Sequence, residues 1–176
     1  MREYKRYKIY PLAEVSPHIL TSYDADNLQK QTKNQKEFKT LLYTKFDDVY
    51  VKMVNRKYEI FLKDRFKCVE CNKIAAYAAL EKLYINGEES SGYHFNFYVI
   101  DDKGREIMLT RDHVKPKCLG GADTKTNQQT MCERCNKKKG GKMGYHRIDI
   151  FDLAICANKL YTGYLLYWMD LYTIKH

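Results

Sequence analysis

The chain of 176 residues contains no uninterrupted apolar run of the roughly eighteen residues that a membrane-spanning helix needs, so nothing in it reads as a span. Its opening, MREYKRYKIYPLAEV, has no continuous apolar stretch after its charges, which departs from the pattern of a secretory signal. Internal repeats, low-complexity tracts and a linker that would divide the chain are missing as well. What is present excludes disorder: 44% of the residues are hydrophobic and 30% charged. The length suits one domain, or a domain with a small appendage, able to bury about two thirds of its unfolded surface.

Disulfides are not expected either. Of the six cysteines, four form two C-x-x-C pairs, Cys68 with Cys71 and Cys132 with Cys135, whereas Cys118 and Cys156 stand alone. Without an export signal, paired knuckles read as metal ligands in a reducing compartment, and the expected location is the cytoplasm. The alternative for these four is ordinary buried thiols.

The net charge of +9 is unevenly spread. Residues 1–67 carry 15 basic and 9 acidic side chains, residues 68–102 carry 2 and 6, residues 103–147 carry 12 and 4, and the remainder 2 and 3. The block at 103–147 is basic enough to attract polyanions. A solvated surface that only confers solubility would have the same charge. What else lies in the block decides between them.

Apolar spacing predicts a helix from Asn34 to Phe46 on Phe38, Leu41, Leu42 and Phe46, a short strand through Val49, Val51 and Met53, and a second helix through Tyr58, Phe61, Leu62 and Phe66. Residues 1–30 give no element. Residues 74–84 (IAAYAALEKLY) fit a helix or a strand. YHFNFYVI, DDKG and REIMLT read as two strands around a tight turn with Gly104 at a positive φ. Residues 148–174 are helical in pattern and would pack across the core.

The informative stretch is LTRDHVKPKCLGGADTKTNQQTMCERCNKKKGGK, residues 109–142. Asp112 and His113 end a predicted strand and should point to opposite faces. Pro116 and Gly120–Gly121 make a loop that closes at Asn127. A returning strand over 128–131 leads into the second knuckle and a short helix with Asn136 in its first turn.

The ordered set D-H, P, G-G, N, C-x-x-C-N and K-G resembles the HNH endonuclease motif, in the four-cysteine form of the ββα-metal fold. The resemblance covers about residues 66–142. It implies, within an α+β chain, an HNH core with a zinc-binding knuckle pair over 66–146; outside the resemblance lie an N-terminal helical or mixed extension of unknown role over 1–65 and a C-terminal helical segment over 147–176. It further implies that His113 is the general base, that Asp112 and Asn136 bind the catalytic divalent cation, and that Asn127 orients the His113 ring or braces the loop. Asn136 stands where the literal motif has its last His. Two oxygen donors suit Mg²⁺ or Mn²⁺. Cys68, Cys71, Cys132 and Cys135 would hold one structural zinc ion. Arg111, Lys115, Lys117, Lys137, Lys138 and Lys139 are the candidates for holding a nucleic-acid backbone, although Lys137–Lys139 also fit a solvated helix end.

The reading that follows is a metal-dependent endonuclease that nicks DNA once per active site and leaves a 5′-phosphate and a 3′-hydroxyl. RNA remains open as a substrate, a dimer would be required for concerted double-strand cleavage, and no membrane is involved. Abundant Lys, Tyr and Asn suit a phage or low-GC bacterium. The runner-up is a catalytically inactive, zinc-stabilised nucleic-acid-binding or regulatory module of a phage or mobile element, and a third class is a protein-interaction scaffold. His18, His94, His146 and His176, and the lone Cys118 and Cys156, are expected to have no role.

Overall fold

A computed structural model of the chain describes residues 1–140, and the expected helices of the C-terminal segment, with His146, Cys156, Trp168 and His176, lie outside the described residues. The architecture is mixed α/β. Strand β1 (Arg2–Pro11) is followed by the short helix α1 (Leu12–Val15), a 3-10 turn at Ser16–His18, and helices α2 (Ser22–Gln31) and α3 (Gln35–Leu41). The hairpin β2 (Tyr43–Phe46) and β3 (Val49–Lys52) leads to helix α4 (Arg56–Lys63). Then come β4 (Tyr77–Ile85), the two-residue β5 (Glu88–Glu89), β6 (His94–Ile100), β7 (Glu106–His113), β8 (Gln128–Cys132) and helix α5 (Glu133–Lys139). Among the described residues no helix is long and apolar enough to cross a membrane.

The helices start where a short polar side chain can take an unpaired backbone N–H. Thr21 accepts from Asp24 N at 3.2 Å while Asp24 accepts from Thr21 N at 2.8 Å, a reciprocal cap on α2. Asn34 and Asn55 cap α3 and α4 by accepting from the N–H two residues on, at 2.9 and 2.8 Å.

The main sheet runs β1-β4-β6-β7-β8, every neighbouring pair antiparallel, with β5 on the end of β4. Alternate residues of β6, Phe95, Phe97 and Val99, are fully buried and meet α4 and the β2–β3 hairpin. Phe97 packs edge-on against Tyr58 and Phe61 and tilts against Phe66; Tyr10, Phe46 and Phe95 form a second aromatic cluster. The tight turn before β7 holds Gly104 at φ 75°, and the Asp101 carboxylate accepts the Lys103 and Arg105 N–H groups at 2.9 and 3.0 Å.

Four stretches differ from the pattern read in the sequence, one of them the helix expected through Phe66, which ends at Lys63 because Arg65 and Phe66 take positive φ values of 54° and 53°. The helix expected over 34–46 ends at Leu41, because Asp47 takes a positive φ of 47° and turns Tyr43–Phe46 back as a strand against Val49–Lys52. Residues 2–11, for which no element was expected, form the longest strand; it lies at the sheet edge with only Tyr10 buried, so its exposed side chains carry no apolar alternation. Residues 77–85 form a central strand, and the alanines Ala78 and Ala79 are buried there between β1 and β6.

Phe97→Ala should cost about 3–5 kcal/mol of unfolding free energy, because it opens a cavity that three rings line. Urea denaturation followed by circular dichroism measures this. A loss below about 1 kcal/mol would show that α4 does not depend on this contact.

Candidate functional site

The end of β7 carries the site, and its register decides which way each side chain points. β7 pairs with β6 only from Glu106 to Met108 and with β8 from Leu109 to His113, so that Asp112 lies opposite Gln129 and His113 opposite Gln128. Leu109, Arg111 and His113 share the flank that faces α4; Met108, Thr110 and Asp112 share the flank that faces α5.

The loop from Val114 to Asn127 is closed by Asn127. Its side chain accepts the Lys115 N–H at 2.8 Å and donates to the Lys115 and Ala122 carbonyls at 3.0 and 2.8 Å, and its own carbonyl accepts the Val114 N–H at 2.9 Å. Asn127 therefore braces the loop, and among the described residues no hydrogen bond joins it to the His113 ring. Within the loop, a 3-10 turn at Lys117–Leu119 ends at Gly120, whose φ is 76°, and Gly121 passes so close to Lys115 that a Cβ would lie 1.8 Å from the Lys115 carbonyl oxygen.

On the α4 flank, His113 Nε2 lies 3.1 Å from Asp123 Oδ1, and the Gln128 amide donates to the same carboxylate. Asp123 is fastened from the N-terminal part of the chain: Arg56 donates to its carbonyl at 3.1 Å and pairs with its carboxylate at 3.4 Å, and Lys117 comes to 4.0 Å. The bond to His113, with the charges of Lys117, Arg111 and Arg56, keeps the Asp123 carboxyl below the usual carboxylate range. An ionised carboxylate only accepts, so it draws the ring proton to Nε2 and leaves the Nδ1 lone pair free, the form a base needs. Gln128 is fully buried, and among the described residues its Oε1 has no hydrogen-bond partner.

On the α5 flank, the buried Asp112 carboxylate accepts from Gln129 Nε2 at 2.9 Å and forms an ion pair with Lys139, whose ammonium also donates to the His113 carbonyl. Asn136 donates from Nδ2 to Thr110 Oγ1 at 2.9 Å. Asp112 and Asn136 are thereby brought to neighbouring positions along one flank of β7. Among the described residues Asp112 Oδ1 and Asn136 Oδ1 have no protein donor, so the pair fits a hard, oxygen-seeking cation. The Lys139 ammonium at Asp112 places a positive charge in the same spot.

The four paired cysteines converge at the base of α5. Their sulfurs lie within 4.8 Å of one another, and Cys71 Sγ is 3.9 Å from Cys132 Sγ, far beyond the roughly 2.05 Å of a disulfide. Such a cluster could hold one metal ion and is consistent with zinc. Burial opposes ionisation of Cys68, but the backbone N–H groups of Cys71, Cys132 and Glu70 at its sulfur bring its thiol below the ordinary range; burial pushes Cys132 and Cys135 up. The first knuckle is tied to β8 by Val69 N–H, which donates to the Thr130 carbonyl at 3.0 Å.

The basic residues separate into distinct environments. Lys115, Lys117, Lys137 and Lys138 are exposed, Arg111 is half-buried, and Lys139 is turned inward with 7% of its side chain exposed. Lys137 is paired with Glu133 at 2.6 Å. His94 meets Ser91 and Gly92 at a distance from this site in the sheet, and Cys118 lies exposed on the loop. Sequence reasoning missed Asp123, Gln128, Gln129 and Arg56. Asp123 could have been noticed as the one carboxylate between the glycine pair and Asn127, but nothing in the local sequence links Arg56 to it.

Residues 102–148 match the model of the HNH endonuclease family, so the site lies in a nuclease-type domain. The matched stretch includes β7, β8, α5 and the loop that Asn127 closes, and its last residues lie outside the described part. No curated protein and no solved structure matches the chain.

Gly121→Ala should break the loop, since the added carbon would overlap backbone that cannot retreat without releasing Asn127. Limited proteolysis should then cut within residues 114–127 at least ten-fold faster, whereas an alanine at the exposed Lys117 should leave the rate unchanged.

Proposed function

We propose that this chain is a metal-dependent endonuclease that hydrolyses DNA phosphodiester bonds, with β7, β8 and α5 as its ββα-metal core. The observation that carries the reading is the pairing of His113 Nε2 with Asp123 at 3.1 Å, on a strand whose opposite flank presents Asp112 and Asn136 within a segment that matches the HNH endonuclease family.

His113 takes the role of general base. With the ring proton held on Nε2 by Asp123, Nδ1 accepts a proton from the attacking water. Asp112 and Asn136 take the role of ligands for Mg²⁺ or Mn²⁺. When bound, such a cation stabilises the charge that grows on a nonbridging phosphate oxygen and on the leaving 3′ oxygen. Gln129, which donates to Asp112, orients the carboxylate, and Lys139 balances its charge until a cation arrives. Asn127 braces the loop that holds Asp123 beside the ring. Lys115, Lys117 and Lys138 position the phosphate backbone without reading bases, and Lys137 is held by Glu133. Products with a 5′-phosphate and a 3′-hydroxyl follow from attack opposite the 3′ oxygen.

Cys68, Cys71, Cys132 and Cys135 take the role of a closed zinc site. A tetrahedron with zinc–sulfur bonds of about 2.3 Å has sulfurs about 3.8 Å apart, close to the 3.9 Å between Cys71 and Cys132. These four thiolates would fill a tetrahedral ion's coordination, and by holding one together they would fix α5, and so Asn136, against the strands.

Conversion of supercoiled plasmid to open circle tests the reading. Wild-type protein should nick in Mg²⁺ or Mn²⁺ and not in EDTA, and His113→Ala should lower the rate by about 10²–10⁴-fold with the zinc content intact. Nicking that His113→Ala leaves unchanged would overturn the assignment of the base. Wild-type protein that binds DNA without cutting it in either metal would make the chain an inactive binding module.

Separately, purified protein should carry about one zinc per chain. A dye-linked zinc assay after Cys135→Ser should show the metal lost along with a large fall in melting temperature. A fully folded variant without zinc would remove the ion from the account of the fold.

A further inference from the structure

The most unusual charge arrangement outside the proposed catalytic groups lies where β6 and β7 part. Beyond the pair Tyr98–Met108 the two strands have no register, because β7 turns to β8 while β6 continues alongside β4 to His94. The first turn of α4 fills this fork. Tyr58 Oη accepts the Phe95 N–H at 2.7 Å, where β6 has no strand neighbour on that side, and Lys57 reaches in to donate to Asn96 Oδ1 at 2.5 Å. Asn96 is fully buried.

Arg111 stands on the other side of the fork, two residues before His113 on the same flank of β7. It is half-buried, and among the described residues its guanidinium makes no hydrogen bond or ion pair. The acids in the neighbourhood are already engaged. Glu81 pairs with Arg6 at 3.1 Å and accepts from Asn96 at 2.7 Å and Tyr98 at 2.9 Å; Asp123 holds His113, Arg56 and Lys117. Burial, reinforced by the charge of Arg111 and opposed by Glu81, brings Lys57 down to about 8. Lys57 and Arg111 thus stand on the two sides of the fork, and among the described residues neither forms an ion pair. An unpaired guanidinium with five donors in a fixed plane suits an oxyanion that takes two parallel hydrogen bonds, a carboxylate or a phosphate, and beside the proposed endonuclease site the fitting one is a nucleic-acid phosphate.

We propose that the β6–β7 fork is a phosphate seat, in which Arg111 makes the direct contact and Lys57 supplies the second charge, and that it holds a nucleic-acid phosphate neighbouring the one attacked beside His113. This rests on the endonuclease reading and extends it to residues of the N-terminal segment. Lys57 lies outside the family match at 102–148, so the seat would be a feature of this chain's own architecture. A single phosphate held a strand residue or two from the base would fix the register of the strand being cut, without regard to its sequence.

The test is the salt dependence of binding to a short DNA duplex, followed by fluorescence anisotropy, with His113→Ala as the parent so that no cutting occurs. Each phosphate neutralised contributes about 0.9 to the slope of log K against log salt concentration. Arg111→Gln in that parent should make the slope shallower by about 0.9 and weaken binding equally for unrelated duplexes, and Arg111→Lys should keep most of the slope. Lys57→Met added to Arg111→Gln should make it shallower again. Because Lys57 helps to fill the fork, its variant counts only with the parent's zinc content and melting temperature; Arg111→Gln decides the matter alone if that condition fails. A folded Arg111→Gln protein with the parental slope overturns the proposal and leaves the endonuclease reading standing. A parent that binds no duplex at any salt concentration overturns both.

Discussion

The structure depends on one strand changing partners halfway along its length. β7 spends its first three residues on β6 and its last five on β8, and the change is what separates the end of the strand from the flat interior of the sheet. A strand bonded to β6 throughout would bury His113 against aromatic residues. Leaving β6, it puts His113 on an edge that a loop can reach and Asp112 on a flank that a helix can cover. Strand alternation then gives the two adjacent residues different surroundings: a carboxylate partner and partial exposure for the imidazole, burial and an ammonium partner for the carboxylate.

A parted pair of strands has unpaired backbone groups and must be bridged, and the N-terminal segment does this. α4 accepts the orphaned Phe95 N–H through Tyr58, takes Thr130 Oγ1 on the Ile60 carbonyl at 3.2 Å, and sends Lys63 to the Gln128 carbonyl at 2.5 Å; just beyond its end, Asp64 accepts Thr130 N–H at 2.7 Å. These contacts cross more than thirty residues of sequence in every case, so a buried backbone group would lose its partner if α4 were displaced. The cysteine cluster works in the same direction from the other end. It joins the chain just after α4 to the start of α5, so that the helix bearing Asn136 and Lys139 and the helix bearing Arg56 and Lys57 are referenced to the same pair of strands.

Local features of this arrangement were legible in the sequence, and long-range ones were not. The C-x-x-C pairs announced a convergent thiol cluster, Gly104 announced the turn before β7, and adjacent Asp112 and His113 in a strand could only diverge. β1 was illegible because an edge strand covered on one side near its end by a single Tyr10 needs no apolar alternation. The second half of the expected helix at 34–46 failed because Phe46 satisfies a helical spacing and a strand spacing equally, and the backbone turn at Asp47 decides between them. Asp123 and Arg56 could not be paired from sequence, since their meeting follows from where α4 crosses the fork. The thiol cluster's neighbours in sequence gave no hint that Lys139 would turn inward.

Lys139 also shows why a charge count misleads about a binding surface. The basic block at 103–147 reads as a uniform cationic strip, yet its members do different jobs. Arg105 is bound to Asp101 at 2.6 Å, Lys139 neutralises Asp112, and Lys137 is paired along its own helix, so each is discounted as a free phosphate contact. Arg111 is the reverse case: one residue from the buried Asp112 but presented to the opposite flank, it forms no ion pair among the described residues, although its charge acts on Asp123 there. What distinguishes these cations is thus whether an acid stands within reach on the turn, helix or strand flank that presents them. In this chain the flank and the facing helix separate the charge that holds the site together from the charge left without an ion-pair partner among the described residues.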